Sequence, residues 1–309
     1  MKREHFSFTD PYGQLIQCFK WSDSRQCNAA IQIVHGMTEH ASRYDDFAEY
    51  LVNNGFVVYA NDHRGHGLTA GTLENTGYFA DKNGWEIVTD NVYQLSEIIK
   101  KDNPDVPLFL FGHSMGFLIT GNCISKYPGT IDGVIFSGTS HNPTFLLMFG
   151  KIVANLQRLF LGEKHRSKLL NTLSFGSFNM KFKPAETAFD WLSRDKNQVD
   201  KYVNDKFCGF VCTTSFYADM FSGILNIQKN KVIQKTPYNL PILIICGEMD
   251  AVGNFTKGVK KVYESYKNIG VRDIEIILYK NGRHEMLNEI NKEQVYSDIL
   301  SWIKKRLII

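Results

Sequence analysis

The chain has 309 residues, 43% of them hydrophobic and 22% charged, which is ordinary globular usage and excludes a disordered or fibrous protein. Its net charge of +3 is too small and too evenly spread to build a nucleic-acid-binding face. Six cysteines, Cys18, Cys27, Cys123, Cys208, Cys212 and Cys246, are scattered without paired metal spacing. Cys208 and Cys212 could line one helix face, but two thiols alone make no zinc site, so free thiols in a reducing compartment are expected.

At this length an α/β chain commonly keeps one core and carries an insertion. The opening residues, Met1-Lys2-Arg3-Glu4-His5-Phe6-Ser7, hold no apolar run of the signal-peptide kind. Residues 6–9 and 14–21, separated by Asp10-Pro11-Tyr12-Gly13, predict a hairpin. Short, nearly all-apolar runs follow at 29–34, 56–61, 108–111, 133–137, 242–246 and 274–279, as buried parallel strands require. Helical patterns lie between them at 43–53, 85–101, 115–126, 257–267 and 292–307. The alternation predicts a mostly parallel central sheet flanked by helices, an α/β fold. It breaks from 140 to 236, where no strand-like run recurs and helical pieces rich in aromatic residues take over. An insertion of that size is usually functional. The expected organisation is a core of 1–139 and 237–309 with a helical cap at 140–236, lying over the carboxyl ends of the strands where such sheets bind ligands. The most apolar long window, from Thr144 to Gly162, is interrupted by Lys151, Asn155, Gln157 and Arg158, which suits an amphipathic helix better than a membrane span. A soluble cytoplasmic protein is expected.

Gly112-His113-Ser114-Met115-Gly116 is a G-x-S-x-G pentapeptide between a strand pattern and a helix pattern, the context a nucleophile elbow requires. The turn is so tight that Gly112 and Gly116 must lack a Cβ. A serine hydroxyl needs a base, and the base needs an acid to orient it. In this fold the acid precedes the histidine along the chain. The run 242–246 leads into Gly247-Glu248-Met249-Asp250, and the run 274–279 leads into Lys280-Asn281-Gly282-Arg283-His284-Glu285. Asp250 and His284 therefore sit after the last two strands, in the required order, with Glu248 the competing acid. An oxyanion hole needs two backbone N–H groups. Met115, next to the nucleophile, supplies one. Met37, in the loop His35-Gly36-Met37-Thr38-Glu39-His40, is the candidate for the other.

These segments, with Arg43-Tyr44 and Asp62-His63-Arg64-Gly65-His66-Gly67, span nearly the whole chain. In their order they resemble the monoacylglycerol lipase and lysophospholipase group of α/β-hydrolases, which is grouped by sequence with serine aminopeptidases. The resemblance implies the triad Ser114, Asp250 and His284, and the Met37 and Met115 amides as oxyanion donors. It implies no cofactor, no metal and a small lipid ester as substrate. In the cap, Trp191-Leu192-Ser193-Arg194-Asp195 is similar to bacterial members.

Gly65-His66-Gly67-Leu68-Thr69-Ala70 formally matches a dinucleotide fingerprint, but it runs into a loop rather than a helix, and that reading is rejected. His63 and His66 beside Asp62 read as a structural loop held by Asp62 and Arg64, not as a metal site. His35, His40 and Glu39 are expected to organise the oxyanion loop, and His113 to pack in the elbow. The aromatic residues between Phe145 and Phe221 are expected to form the cap core and in part an acyl pocket, where each buried methylene contributes about 0.8 kcal/mol. Three readings remain open: an esterase of small lipid esters, an aminopeptidase using Glu186, Asp190 or Asp219 to bind an amine, and a binding protein without turnover. A hydrophobic cap would also suit peripheral membrane contact.

Overall fold

A computed structural model describes residues 1–23 and 27–307. The hairpin consists of β1 (Lys2–Thr9) and β2 (Leu15–Ser22), paired antiparallel in the register Thr9 to Leu15. Asp10 fixes its turn by accepting the Tyr12 and Gln14 amides. Then follow β3 (Ala29–Val34), a 3-10 turn at Ala41–Tyr44, α1 (Asp45–Asn53), β4 (Phe56–Asn61), the short α2 (Gly67–Ala70) and α3 (Gly84–Asp102). Next come β5 (Leu108–His113), α4 (Met115–Lys126) and β6 (Gly133–Ser137).

The chain then leaves the sheet for α5 (Thr144–Leu161), α6 (Lys168–Phe175), α7 (Lys196–Asn204), α8 (Thr214–Ile227) and α9 (Asn230–Ile233). It returns as β7 (Ile242–Gly247), α10 (Lys257–Asn268), β8 (Ile274–Tyr279) and α11 (Lys292–Arg306). All six predicted parallel strands form within two residues of the runs read from the sequence.

The eight strands make one sheet in the order β1-β2-β4-β3-β5-β6-β7-β8. From β4 to β8 all pairs are parallel. Alternation within each strand divides the core in two. Ile31, Ile33, Phe109 and Phe111 face α1 and α11, while Ala30, Val34, Leu108 and Leu110 face α3 and α4. The strand order reverses between β3 and β5, and the crevice at such a reversal is where sheets of this kind take ligands.

The helices after β6 sit on the same side as α3. Gly223 of α8 lies against the Trp85 indole, where a Cβ would stand 2.2 Å from the ring. Gly150 of α5 lies against Phe221 in the same manner. By contrast, most of α5 is bare: only Leu147, Gly150 and Ala154 are buried. The sequence expectation for this segment needs correcting. Among the described residues α5 is one helix long and apolar enough, by length and composition alone, to cross a membrane, because Lys151 and Arg158 leave the mean hydropathy of its 18 residues at 1.3. Cys208 and Cys212 also do not line a helix; they lie in the loop between α7 and α8.

Candidate active site

β5 turns into α4 at Ser114, whose φ of 54° and ψ of −117° lie where a residue with a Cβ is strained. Strain of this kind persists only where neighbours over-determine it. Here Ser114 N–H donates to Ser137 O at 2.9 Å, and Phe117 N–H donates to Ser114 O at 3.0 Å. The flanking glycines are required by close approach: a Cβ on Gly116 would stand 1.9 Å from Val34 O, and one on Gly112 would stand 2.7 Å from Gly116 O. Ser114 thus caps the amino end of a 12-residue helix, at the positive end of its dipole. The Met115 and Met37 N–H groups donate to no acceptor among the described residues. Gly36 brings the loop after β3 to the elbow, with its Cβ position 3.2 Å from Ser114 Cβ.

Asp250 and His284 meet across the ends of β7 and β8, both almost wholly buried. His284 Nδ1–H donates to both carboxylate oxygens at 3.0 Å, and Val252 N–H donates to Asp250 Oδ1 at 2.8 Å. Burial alone would raise the Asp250 carboxyl, but the His284 ring and the Val252 and Gly253 amides hold it below the usual carboxylate value. Burial pulls the His284 ring down, and the Asp250 carboxylate outweighs it, leaving the imidazole above its ordinary 6.5. Glu248, the competing acid, points to solvent. Ser114 and His284 line the same pocket. Among the described residues no hydrogen bond joins Ser114 Oγ to His284, a separation usual before substrate tightens such a site.

Several residues that serve this geometry are not apparent from spacing. Gly138 has φ 62°, and a Cβ there would stand 2.7 Å from His284 Cε1, so it leaves room for the imidazole. His113 packs on His284 with ring centroids 4.8 Å apart, and burial pushes it down to about 4. Arg43 joins both sides of the cleft. Its Nη1 and Nη2 donate to the Glu285 carboxylate at 2.7 Å each, and Nη1 also donates to Glu39 Oε2 at 2.6 Å. Glu39 Oε1 in turn accepts the Gly36 amide at 2.6 Å and the Tyr44 hydroxyl at 2.9 Å. Burial would raise the Glu285 carboxyl, yet Arg43 holds it at about 2. Arg43, Tyr44 and Glu39 stand in a segment the sequence singled out; their partner Glu285 lies 242 positions from Arg43.

His35 serves the loop as expected, with its Nδ1 bonded to Gly36 O at 2.8 Å. So does the Asp62 loop: the Asp62 carboxylate accepts the Ala41 and Leu68 amides, and Arg64 bonds Asp10.

The pocket over Ser114 has a volume of about 200 Å³ and is mostly apolar. Phe175, Phe189, Trp191, Tyr202 and Phe210 line it, with Met37 and Leu192. The aromatic set therefore divides. Phe216 and Tyr217 are buried in the core, while Phe145 and Phe160 are 71% and 78% exposed. The segment 190–195 does more than line the pocket. Trp191 O and Leu192 O accept the amides of His284 and Glu285, and the Asp190 and Ser193 carbonyls accept Arg283. None of Glu186, Asp190 and Asp219 lines the pocket: Glu186 pairs with Lys196, Asp190 accepts Thr187, and Asp219 stands over Gly84.

The family model described as "Serine aminopeptidase, S33" matches residues 25–291. The monoglyceride lipase of Mus musculus is 28% identical over 96% of this chain and 88% of its own length. The monoacylglycerol lipase of Mycolicibacterium smegmatis is 24% identical over 99% of this chain and 98% of its own. Among solved structures, a thermostable carboxyl esterase from Bacillus coagulans, in complex with glycerol, superposes with a TM-score of 0.90 at 27% identity, covering 99% of each chain.

Proposed function

The chain belongs to the serine aminopeptidase S33 family of hydrolases, and on that premise we propose that it is a serine carboxylic ester hydrolase of small lipid esters, monoacylglycerols or lysophospholipids. The observation that carries the reading is one juxtaposition. A strained serine at a helix amino end and a histidine held by a buried aspartate open onto one aromatic-lined pocket.

Ser114 Oγ attacks the ester carbonyl, and His284 takes its proton. Asp250 keeps the imidazole oriented and offsets its charge. The Met37 and Met115 amides hold the oxyanion. His284 then protonates the leaving alcohol, and water, deprotonated by the same imidazole, releases the acid from Ser114.

The helices between 140 and 236 act as the cap that selects the acyl chain. Glycerol-bearing and lipase relatives support the ester over the peptide bond. So does the pocket: Glu39 and Glu285 are the carboxylates on its wall, and both are already engaged by Arg43. The bare apolar side of α5, edged by Lys151 and Arg158, supports peripheral contact with a lipid surface. Six free thiols support a reducing, cytoplasmic setting.

A panel of esters varied in chain length and head group, run beside proline β-naphthylamide, tests the reading. Turnover of monoacyl esters that Ser114→Ala abolishes is the expected result. Amide release exceeding ester release would replace it with the aminopeptidase.

A further inference from the structure

Among the described residues, one group of three side chains brings metal-binding donor atoms together: His40, Asp205 and Cys208, all half-buried, with the donors within 4.8 Å of one another. His40 Nε2 and Asp205 Oδ2 are 2.8 Å apart. The two sides of the group come from distant parts of the chain. His40 ends the loop that carries Met37, while Asp205 and Cys208 belong to the connection between α7 and α8.

We propose that His40 Nε2, an Asp205 carboxylate oxygen and Cys208 Sγ form a three-ligand site for a soft divalent cation of the zinc class, with water as the fourth ligand. The donor set fits that chemistry, since imidazole, carboxylate and thiolate are the ligands zinc takes. Bond lengths of about 2.0–2.3 Å imply tetrahedral ligand separations of about 3.3–3.8 Å. The His40–Asp205 pair, at 2.8 Å, therefore opens slightly, and the thiol, within 4.8 Å of both, needs at most a small side-chain adjustment.

The second support is access and orientation. His40 and Asp205 stand on the wall of an open cleft that also holds Asp45, Asp46 and Asp200, against Arg43 and Lys201. Within that cleft Arg43 pairs with Glu39 and Glu285, Asp45 with Arg3 and Asp46 with Lys292, and Asp205 is the carboxylate that meets His40. Asp205 keeps one oxygen on the Phe207 amide at 2.8 Å, which orients the carboxylate from behind as an outer partner does in metal sites.

Binding is an exchange of protons for metal. The Cys208 thiol, which burial pushes up and so keeps protonated, gives its proton to solvent. The His40 ring gives up its bond to Asp205, presents its lone pair on Nε2 and carries its proton on Nδ1. No electron is transferred. The ion joins two segments that already touch: Thr38 O accepts Gly209 N–H at 3.0 Å and the Tyr202 hydroxyl at 3.0 Å. Occupancy would fasten the α7–α8 connection to the loop bearing Met37.

The test is spectroscopic and does not depend on the substrate. Chelator-treated full-length protein titrated with Co²⁺ is expected to gain a thiolate-to-cobalt charge-transfer band, saturating at one ion per chain. The band should disappear in Cys208→Ser and in His40→Gln, variants whose folding is checked by their melting without metal. In the unmodified protein Zn²⁺ should raise the melting temperature and should protect Cys208, but not Cys27, from alkylation mapped by mass spectrometry. A sulfur band that persists in Cys208→Ser overturns the site, as does its absence from the parent protein. Alkylation of Cys208 at the same rate with and without Zn²⁺ overturns it without recourse to any variant.

Discussion

Every residue of β3, β4, β5, β6 and β7 is buried. α5, of 18 residues, buries three. The sheet end fixes atoms to within the reach of a methyl group: the Cβ positions of Gly112, Gly116 and Gly138 are all occupied by something else. Among the contacts that hold the helices above it are Arg166 on the 73–76 turn, Arg283 on Asp190 and Ser193, Gly223 on Trp85, and Gly209 and Tyr202 on Thr38. The difference teaches where each property resides. Chemistry needs positions over-determined, and substrate choice needs a wall that can vary.

The largest effect should fall on the over-determined side. Ser114→Ala is expected to lower kcat about a millionfold while leaving the denaturation curve in place. A protein that kept ester turnover would break the comparison at its root. Arg43→Met leaves Glu39 and Glu285 facing each other without a cation, and is expected to cost about 3–5 kcal/mol in urea unfolding. With the Gly36 amide loosened, kcat should fall about a hundredfold or more. Gly138→Ala puts a methyl group on the His284 ring at a positive φ, for an expected cost of about 1–3 kcal/mol and a kcat loss with little change in KM.

pH separates catalysis from stability within the sheet-end loops. His284 must be neutral to act, and its value is raised, so kcat/KM should climb with pH through a midpoint above 6.5. Stability should fall in acid for a different reason. His35, His63 and His66 are buried and held below 6.5, His63 at about 3 and His66 at about 4. As pH drops below 6.5 the unfolded chain takes up protons that the folded chain refuses. The melting temperature should therefore decline steadily towards pH 4. The smallest effect belongs to the bare helix. Phe149→Asp should change stability by no more than about 0.5 kcal/mol yet reduce sedimentation with anionic vesicles.

The inner strands were legible because burial on both faces leaves a run of apolar residues with sharp ends, and 29–34, 56–61 and 133–137 match the structure residue for residue; 274–279 matches too, although it is the edge strand and only partly buried. The elbow was legible because its glycines answer to steric necessity. What the chain does not spell out is pairing at long separation. Arg43 with Glu285, Trp191 with His284, and His40 with Asp205 and Cys208 lie on segments the fold alone brings together. Nor does spacing tell which aromatic residue faces a pocket, the core or solvent. Phe175, Phe216 and Phe160 differ only in what lies beneath them.

The main-chain bonds from Trp191 and Leu192 to His284 and Glu285 set a rule for grafting. A chimera that exchanges the whole stretch between β6 and β7 for a relative's repositions the two main-chain carbonyls on which the His284 loop rests, and so disturbs the frame of His284 along with the pocket wall. Crossover points placed so that 190–195 stays with the recipient would exchange the rest of the pocket's wall and leave the imidazole where these carbonyls hold it.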